Sequence, residues 1–116
     1  MELKKTIERQ AYAVKITAQE DGQVIGRAYV YILYNDLHVE PYGYLEDVFV
    51  EATQRGKGIG SKLITEAIAQ AREQGCYKLV CTSRNSRQEV HALYKKFGFQ
   101  EFGLEFRMDL KASAVK

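Results

Sequence analysis

Seven consecutive residues constrain this chain more than any others: Arg55, Gly56, Lys57, Gly58, Ile59, Gly60 and Ser61. They lie between a segment with strand character and one with helical periodicity. Each glycine at a helix start costs up to ~1 kcal/mol against alanine, and a strand-to-helix turn needs one at most. The surplus implies that another molecule approaches the backbone closely. N–H groups at a helix start lack intrahelical partners and sit at the positive end of the dipole, which makes an anion site. Arg55 and Lys57 add charge at the same place. The plain alternative is a tight turn that packs helix on strand. Two phosphate-binding templates do not fit. A P-loop places Lys-Ser/Thr directly after its last glycine, whereas Lys57 precedes Gly58. The dinucleotide fingerprint needs G-x-G-x-x-G, and this turn reads G-x-G-x-G.

The surrounding periodicity predicts an α/β chain of the α+β kind, in the order β-β-β-α-β-α-β. Residues 11–20 alternate, with Tyr12, Val14 and Ile16 on one face. Asp21-Gly22 is a strong two-residue hairpin signal. Residues 23–34 return as a strand, 35–43 read as a loop, and 44–51 as a third strand. Ile59, Leu63, Ile64, Ala67, Ile68 and Ala71 then form one apolar helical stripe, with Gly75 placed to end the helix. Residues 77–82 read as a strand and 87–97 as a second helix, ended by Gly98. Residues 101–110 alternate strictly and predict a last strand, with Phe102, Leu104, Phe106, Met108 and Leu110 on one face. The β-α-β unit over 44–82 demands a right-handed crossover and a parallel pair. The hairpin is antiparallel, so the sheet is mixed and mainly antiparallel.

A chain of 116 residues suggests one domain spanning 1–116, with enough core to need no disulfide or metal staple. No apolar run approaches the ~18 residues of a membrane span, and the N-terminus lacks a signal-peptide core. Cys76 and Cys81 stand without further ligands nearby. They read as packing residues of a reduced, cytoplasmic protein, and no metal site is expected. The net charge of +2 is too small to imply nucleic acid. It is unevenly spread. Asp36, Glu40, Glu46, Asp47 and Glu51 occupy the stretch between Arg27 and Arg55, which has no base. That stretch carries −5 and leaves +7 for the rest.

The turn resembles the acyl-coenzyme A signature of the GNAT superfamily of N-acetyltransferases, Arg/Gln-x-x-Gly-x-Gly/Ala, through Arg55, Gly58 and Gly60. The likeness extends over about 100 residues. The stretch LEDVFVEATQRGKGIGSKLI resembles the family's fourth strand and following helix, and TSRNSRQEVHALYKKFGF its second block. The resemblance implies acetyl-CoA as co-substrate, with its pantetheine arm in the gap between two splayed parallel strands. Backbone groups of Val48, Phe49 and Val50 would hold that arm, and one N–H near Val50 would polarise the thioester carbonyl. The N–H groups of Gly56, Lys57, Gly58, Ile59, Gly60 and Ser61 would hold the pyrophosphate, with Arg55 beside them. A valine at Gly58 is expected to block this site while leaving the fold. Asn85 falls where the family often touches pantetheine.

Tyr94 matches the family tyrosine that protonates the departing thiolate; as a residue on the apolar stripe it also reads as core. A phenol near pKa ~10 and a thiol near ~8.5 exchange a proton without a large uphill step. Many members place a glutamate where Glu46 and Asp47 stand. A strand points these two to opposite faces, and Glu46, in phase with Val48 and Val50, is the favoured base. Asp47, His38, His91 and water stay open as alternatives.

The acceptor side departs from the family. Members usually carry two helices between the first and second strands, and the ten residues that precede the first clear strand here are too few for both. The acceptor site is then open or completed by a second subunit, which would make a homodimer. Tyrosines beside the acidic stretch suit a cationic amine, small or peptidic. Competing readings are a non-catalytic acyl-CoA-binding module and a nucleic-acid module built on Lys57, Lys62, Arg84, Arg87, Lys95 and Lys96. The cosubstrate's phosphates explain those cations more simply.

Overall fold

A computed structural model of the chain describes residues 1–111. Two compact units divide it, Met1–Cys81 and a second that begins at Thr82.

The first unit opens with the expected hairpin. Strand β1 (Tyr12–Glu20) pairs antiparallel with β2 (Gln23–Leu33). Asp21 and Gly22 both adopt positive φ, 52° and 78°, as a type I′ turn requires. Strand β3 (Tyr42–Val50) pairs antiparallel with β2 and begins two residues earlier than its alternation suggests. A 3-10 turn (Ala52–Gln54) leads to helix α1 (Ile59–Glu73), and β4 (Leu79–Cys81) lies parallel to β3. The sheet order is β1-β2-β3-β4. No helix among the described residues is long and apolar enough to cross a membrane.

One face of the sheet carries the core. Ala28, Val30, Ile32 and Leu45 are buried on it, and Leu63, Ile64, Ala67 and Ala71 are buried along α1. These are the helical positions that the sequence periodicity selects. Removing each of Val30, Ile32 and Ile64 from water contributes roughly 1.5–3 kcal/mol. Opposed residues share a face, so the other face carries Lys15, Arg27, Tyr29, Tyr31, Tyr44 and Glu46. There the Tyr29 and Tyr31 rings stack at 5.7 Å.

The second unit holds helix α2 (Gln88–Lys96). Its entry is tied by His91 Nε2, 2.8 Å from the Arg84 carbonyl, and by Gln88 Nε2, which donates to the Asn85 carbonyl at 2.8 Å. Its exit is tied by the Phe99 N–H, which donates to the Tyr94 carbonyl at 3.1 Å.

The expected last strand at 101–110 needs correction. Among the described residues this segment joins no ladder, and its apolar row is exposed by 79–95%. Alternation gives a segment the faces of a strand, but a strand also needs a neighbour whose backbone it can bond.

Candidate active site

The glycine turn is built as an open helix start. Gly58 caps α1 with φ 81°, and no side chain caps the helix. Gly56 also has φ 83°. Both positions lie in the left-handed region that non-glycine residues avoid. Valine at Gly58 would therefore strain the cap, which corrects the expectation that it leaves the fold untouched. Gly60 is different. It sits inside α1, and a Cβ there would meet only Val50 Cγ2 at 3.8 Å, an ordinary contact. The fold gives no reason for that glycine.

Among the described residues, the N–H groups of Gly56, Lys57, Gly58, Ile59, Gly60 and Ser61 donate no hydrogen bond within the chain. Arg55 Nε donates to the Val50 carbonyl at 3.1 Å, and Lys57 Nζ to Gln54 Oε1 at 3.0 Å. Both acceptors are neutral. Arg55, Lys57 and Lys62 form no ion pair among the described residues, so their charge is uncompensated. Unpartnered donors, uncompensated cations and an unexplained glycine together fit an anionic ligand such as a pyrophosphate.

The end of β3 forms the adjoining wall. Its ladder with β4 covers only Gly43–Leu45, and β3 runs on to Val50. The Glu51 N–H donates to the Ile25 carbonyl at 2.9 Å, which makes residues 25 and 51 a hydrogen-bonded pair. Gly26 and Val50 are then a non-hydrogen-bonded pair, so the Val50 N–H and carbonyl point away from β2. Arg55 takes the carbonyl, and the N–H faces the open side.

A bulge interrupts β3 between these two parts. Tyr29 opposes Glu46 and Arg27 opposes Phe49, so Asp47 and Val48 share the place opposite Ala28. Asp47 has φ 57°, a conformation that Asp tolerates better than most residues. Its carboxylate accepts from Arg27 Nε and from the second guanidinium nitrogen, at 2.8 and 3.1 Å. That hydrogen bonding, then the charge of Arg27, holds the Asp47 carboxyl below its ordinary range. Arg27 also lies 4.6 Å over the Phe49 ring. Sequence reading missed this clamp, for which the only signal was an Asp in a strand. The bulge also corrects the phase of Glu46. It shares a face with Tyr29 and Phe49, and not with Val50.

The remaining site residues are not gathered here. Asn85 and Tyr94 belong to the second unit, where Asn85 is exposed and the half-buried Tyr94 meets Phe99 edge-on at 5.4 Å. His38 packs on Tyr77 with rings 4.0 Å apart, and His91 is engaged at Arg84. The five acids do not converge. Asp36 and Glu40 lie in the loop before β3 and Glu51 beyond its far end, about 30 Å apart at ~3.3 Å per residue. Among the described residues no group of His, Cys, Asp and Glu is arranged to hold a metal.

Cys76 and Cys81 are free thiols, as packing residues would be. Burial pushes Cys81 up to about 11. Its thiolate fraction at pH 8 is then about a hundredfold below that of an ordinary thiol. Titration with a chromogenic disulfide should label Cys81 slowly at pH 8, with a rate still rising tenfold per unit toward pH 10. A rate that levels off near pH 9 would contradict this.

A mixed sheet whose parallel edge opens beside an uncapped, cationic helix start is an architecture suited to a phosphate-bearing cosubstrate. Residues 2–99 match the profile of the Acetyltransferase (GNAT) family, and the chain belongs to that family. It is 31% identical over 118 residues to an aminoglycoside N(6')-acetyltransferase type 1 of Stenotrophomonas maltophilia, covering 97% of this chain and 77% of that protein. It is 30% identical to a glucosamine 6-phosphate N-acetyltransferase of Trypanosoma brucei brucei, over 79% of this chain and 61% of that one. A crystal structure of a Trypanosoma brucei acetyltransferase superposes with a TM-score of 0.74 at 30% identity, covering 84% of this chain and 69% of the other. The relatives are N-acetyltransferase enzymes, and the chain spans only part of each.

Proposed function

We propose that this protein is an acetyl-CoA-dependent N-acetyltransferase acting on a primary amine by direct attack. The observation that carries this reading is the helix start, with six unpartnered N–H groups, three uncompensated cations and a glycine that the fold does not require. Residues 56–61 would hold the pyrophosphate, and the backbone of Val48, Phe49 and Val50 the pantetheine arm. Acetyl-CoA supplies an activated thioester. The outward Val50 N–H would polarise the thioester carbonyl. Tyr94 would give its proton to the thiolate, and Asn85 would touch the pantetheine.

An amine attacks only when neutral, so a base must take its proton. Glu46 is exposed beside Tyr29 on the sheet face away from α1. Asp47 is the poorer base, because Arg27 holds it ionised and weakens its affinity for a proton. Glu46 with Tyr29, Tyr31 and Tyr44 favours a cationic acceptor, small or peptidic. The relatives' substrates, named as aminoglycosides and glucosamine 6-phosphate, point to small amines. Two unpaired thiols favour the reducing cytoplasm.

Release of free thiol from acetyl-CoA across an amine panel tests the reading. Turnover with a subset of amines is expected, lowered about 10²-fold by Glu46→Gln. Undiminished turnover in that variant would remove Glu46 as the base. Thermal stabilisation by acetyl-CoA without any turnover would instead make this an acyl-CoA-binding module. Absence of both stabilisation and turnover would defeat the proposal.

A further inference from the structure

The sheet face away from α1 presents opposite charges on either side of one tyrosine. In one row across the strands Lys15 opposes Tyr29, and Tyr29 opposes Glu46. The next row holds Thr17, Arg27 and Phe49. Opposed residues share a face, and diagonal neighbours such as Arg27 and Glu46 stand about 7–8 Å apart. Lys15 Nζ lies 5.7 Å from the centre of the Tyr29 ring. Among the described residues neither Lys15 nor Glu46 forms an ion pair, with each other or with any other group.

Arg27 is the ordered member of this group. Asp47 holds its Nε and Nη2 at 2.8 and 3.1 Å, and the guanidinium lies 4.6 Å over the Phe49 ring. Nη1 donates no hydrogen bond among the described residues, and the side chain is 38% exposed. A guanidinium fixed on one edge offers its other edge to an anion with little further loss of rotamer freedom. Lys15 and Arg27 against Asp47 leave this pole one net positive charge, and Glu46 makes a negative pole across Tyr29. The stacked rings of Tyr29 and Tyr31 lie between them as a flat floor. A purely cationic acceptor would satisfy one pole and be repelled by the other. An acceptor with a charge of each sign satisfies both.

We propose that the acceptor is zwitterionic: a small primary amine that also bears a carboxylate or a phosphate, its amine toward Glu46 and its anion toward Arg27 and Lys15. The inference rests on the acetyl-transfer reading and narrows its substrate class.

Matched pairs of acceptors test it, each compared by kcat/KM from thiol release. One pair is an amino acid and its carboxamide; the other is an amino sugar phosphate and the free amino sugar. In at least one pair the anionic member should exceed its neutral partner at least tenfold, and the pair that responds identifies the anion. Arg27→Met should lower that ratio about tenfold, mainly through KM of the anionic member. Lys15→Glu should lower it in the same direction. Both members of a pair meet the same fold, so a merely structural loss would depress both and leave the ratio unchanged. Lys15 is exposed and outside the clamp, so its variant decides the matter if Arg27→Met fails to fold. Turnover of amines with equal kcat/KM within both pairs would overturn the inference and leave acetyl transfer standing. So would a preference that neither variant alters. Absence of turnover with every amine would overturn the inference together with the reading beneath it.

Discussion

Replacing Tyr94 by phenylalanine should lower kcat by about 10²–10⁴-fold while leaving the affinity for acetyl-CoA little changed. The substitution removes one hydroxyl and keeps the ring that meets Phe99 edge-on. A donor that acts only as the carbon–sulfur bond breaks contributes to the transition state and not to ground-state binding. The expected signature is a fall in kcat without a rise in the acetyl-CoA KM. If turnover stays within about twofold of wild type, Tyr94 is not the acid and its place on α2 is a matter of packing.

The second large effect is expected at Gly60, where stability and cosubstrate binding should respond to side chains of different size. Gly60→Ala should stabilise the ligand-free chain by up to ~1 kcal/mol, because alanine is the better helix former and a Cβ there meets only an ordinary contact. A single methyl is also what the Arg/Gln-x-x-Gly-x-Gly/Ala signature admits at this position, whereas the larger side chain of Gly60→Leu would stand where the cosubstrate's phosphates approach the backbone. The thermal shift produced by acetyl-CoA, worth about 2.7 kcal/mol at a hundredfold excess over Kd, should persist in Gly60→Ala and shrink or vanish in Gly60→Leu. Gly58→Val is the contrasting variant. Its left-handed backbone makes a β-branched residue cost about 1–3 kcal/mol, so that variant should melt lower even without ligand. An undiminished acetyl-CoA shift in Gly60→Leu would remove the turn as the phosphate site.

The elements that were legible in the sequence are those whose cause is local. Asp21-Gly22 specifies its own turn, and the apolar stripe from Ile59 to Ala71 specifies which side of α1 meets the sheet. The glycine turn was legible because its cost is local too. Three things were hidden because they depend on partners distant in sequence. The Arg27–Asp47 clamp joins residues twenty apart. The tilted contact of the His38 ring with Tyr77, which gives that histidine a packing role, joins residues of two different loops. Residues 101–110 announce a strand in their own pattern, but nothing in that pattern states whether its neighbour lies in the same chain. The phase of Glu46 was misread because alternation presumes an unbroken ladder, and an Asp in place of Gly gives little warning of a bulge.

That extra residue in β3 behaves like a one-base insertion in a reading frame of two. Leu45 and Val50 both face α1, although five positions separate them and strict alternation would send them to opposite sides. In the unshifted frame, Asp47 and Phe49 would turn inward beneath α1. A carboxylate would enter the apolar core, and a phenylalanine would oppose Gly26, where even a Cβ would stand 3.0–3.3 Å from Phe49, Leu63 and Ile59. Deleting Asp47 itself should therefore be tolerated better than deleting any other residue of β3, because it removes the inserted residue and leaves Leu45, Val48 and Val50 facing α1 in simple alternation, at the cost of the clamp to Arg27. Any graft or alignment of this strand onto a relative has to count the inserted residue before it assigns side chains to faces.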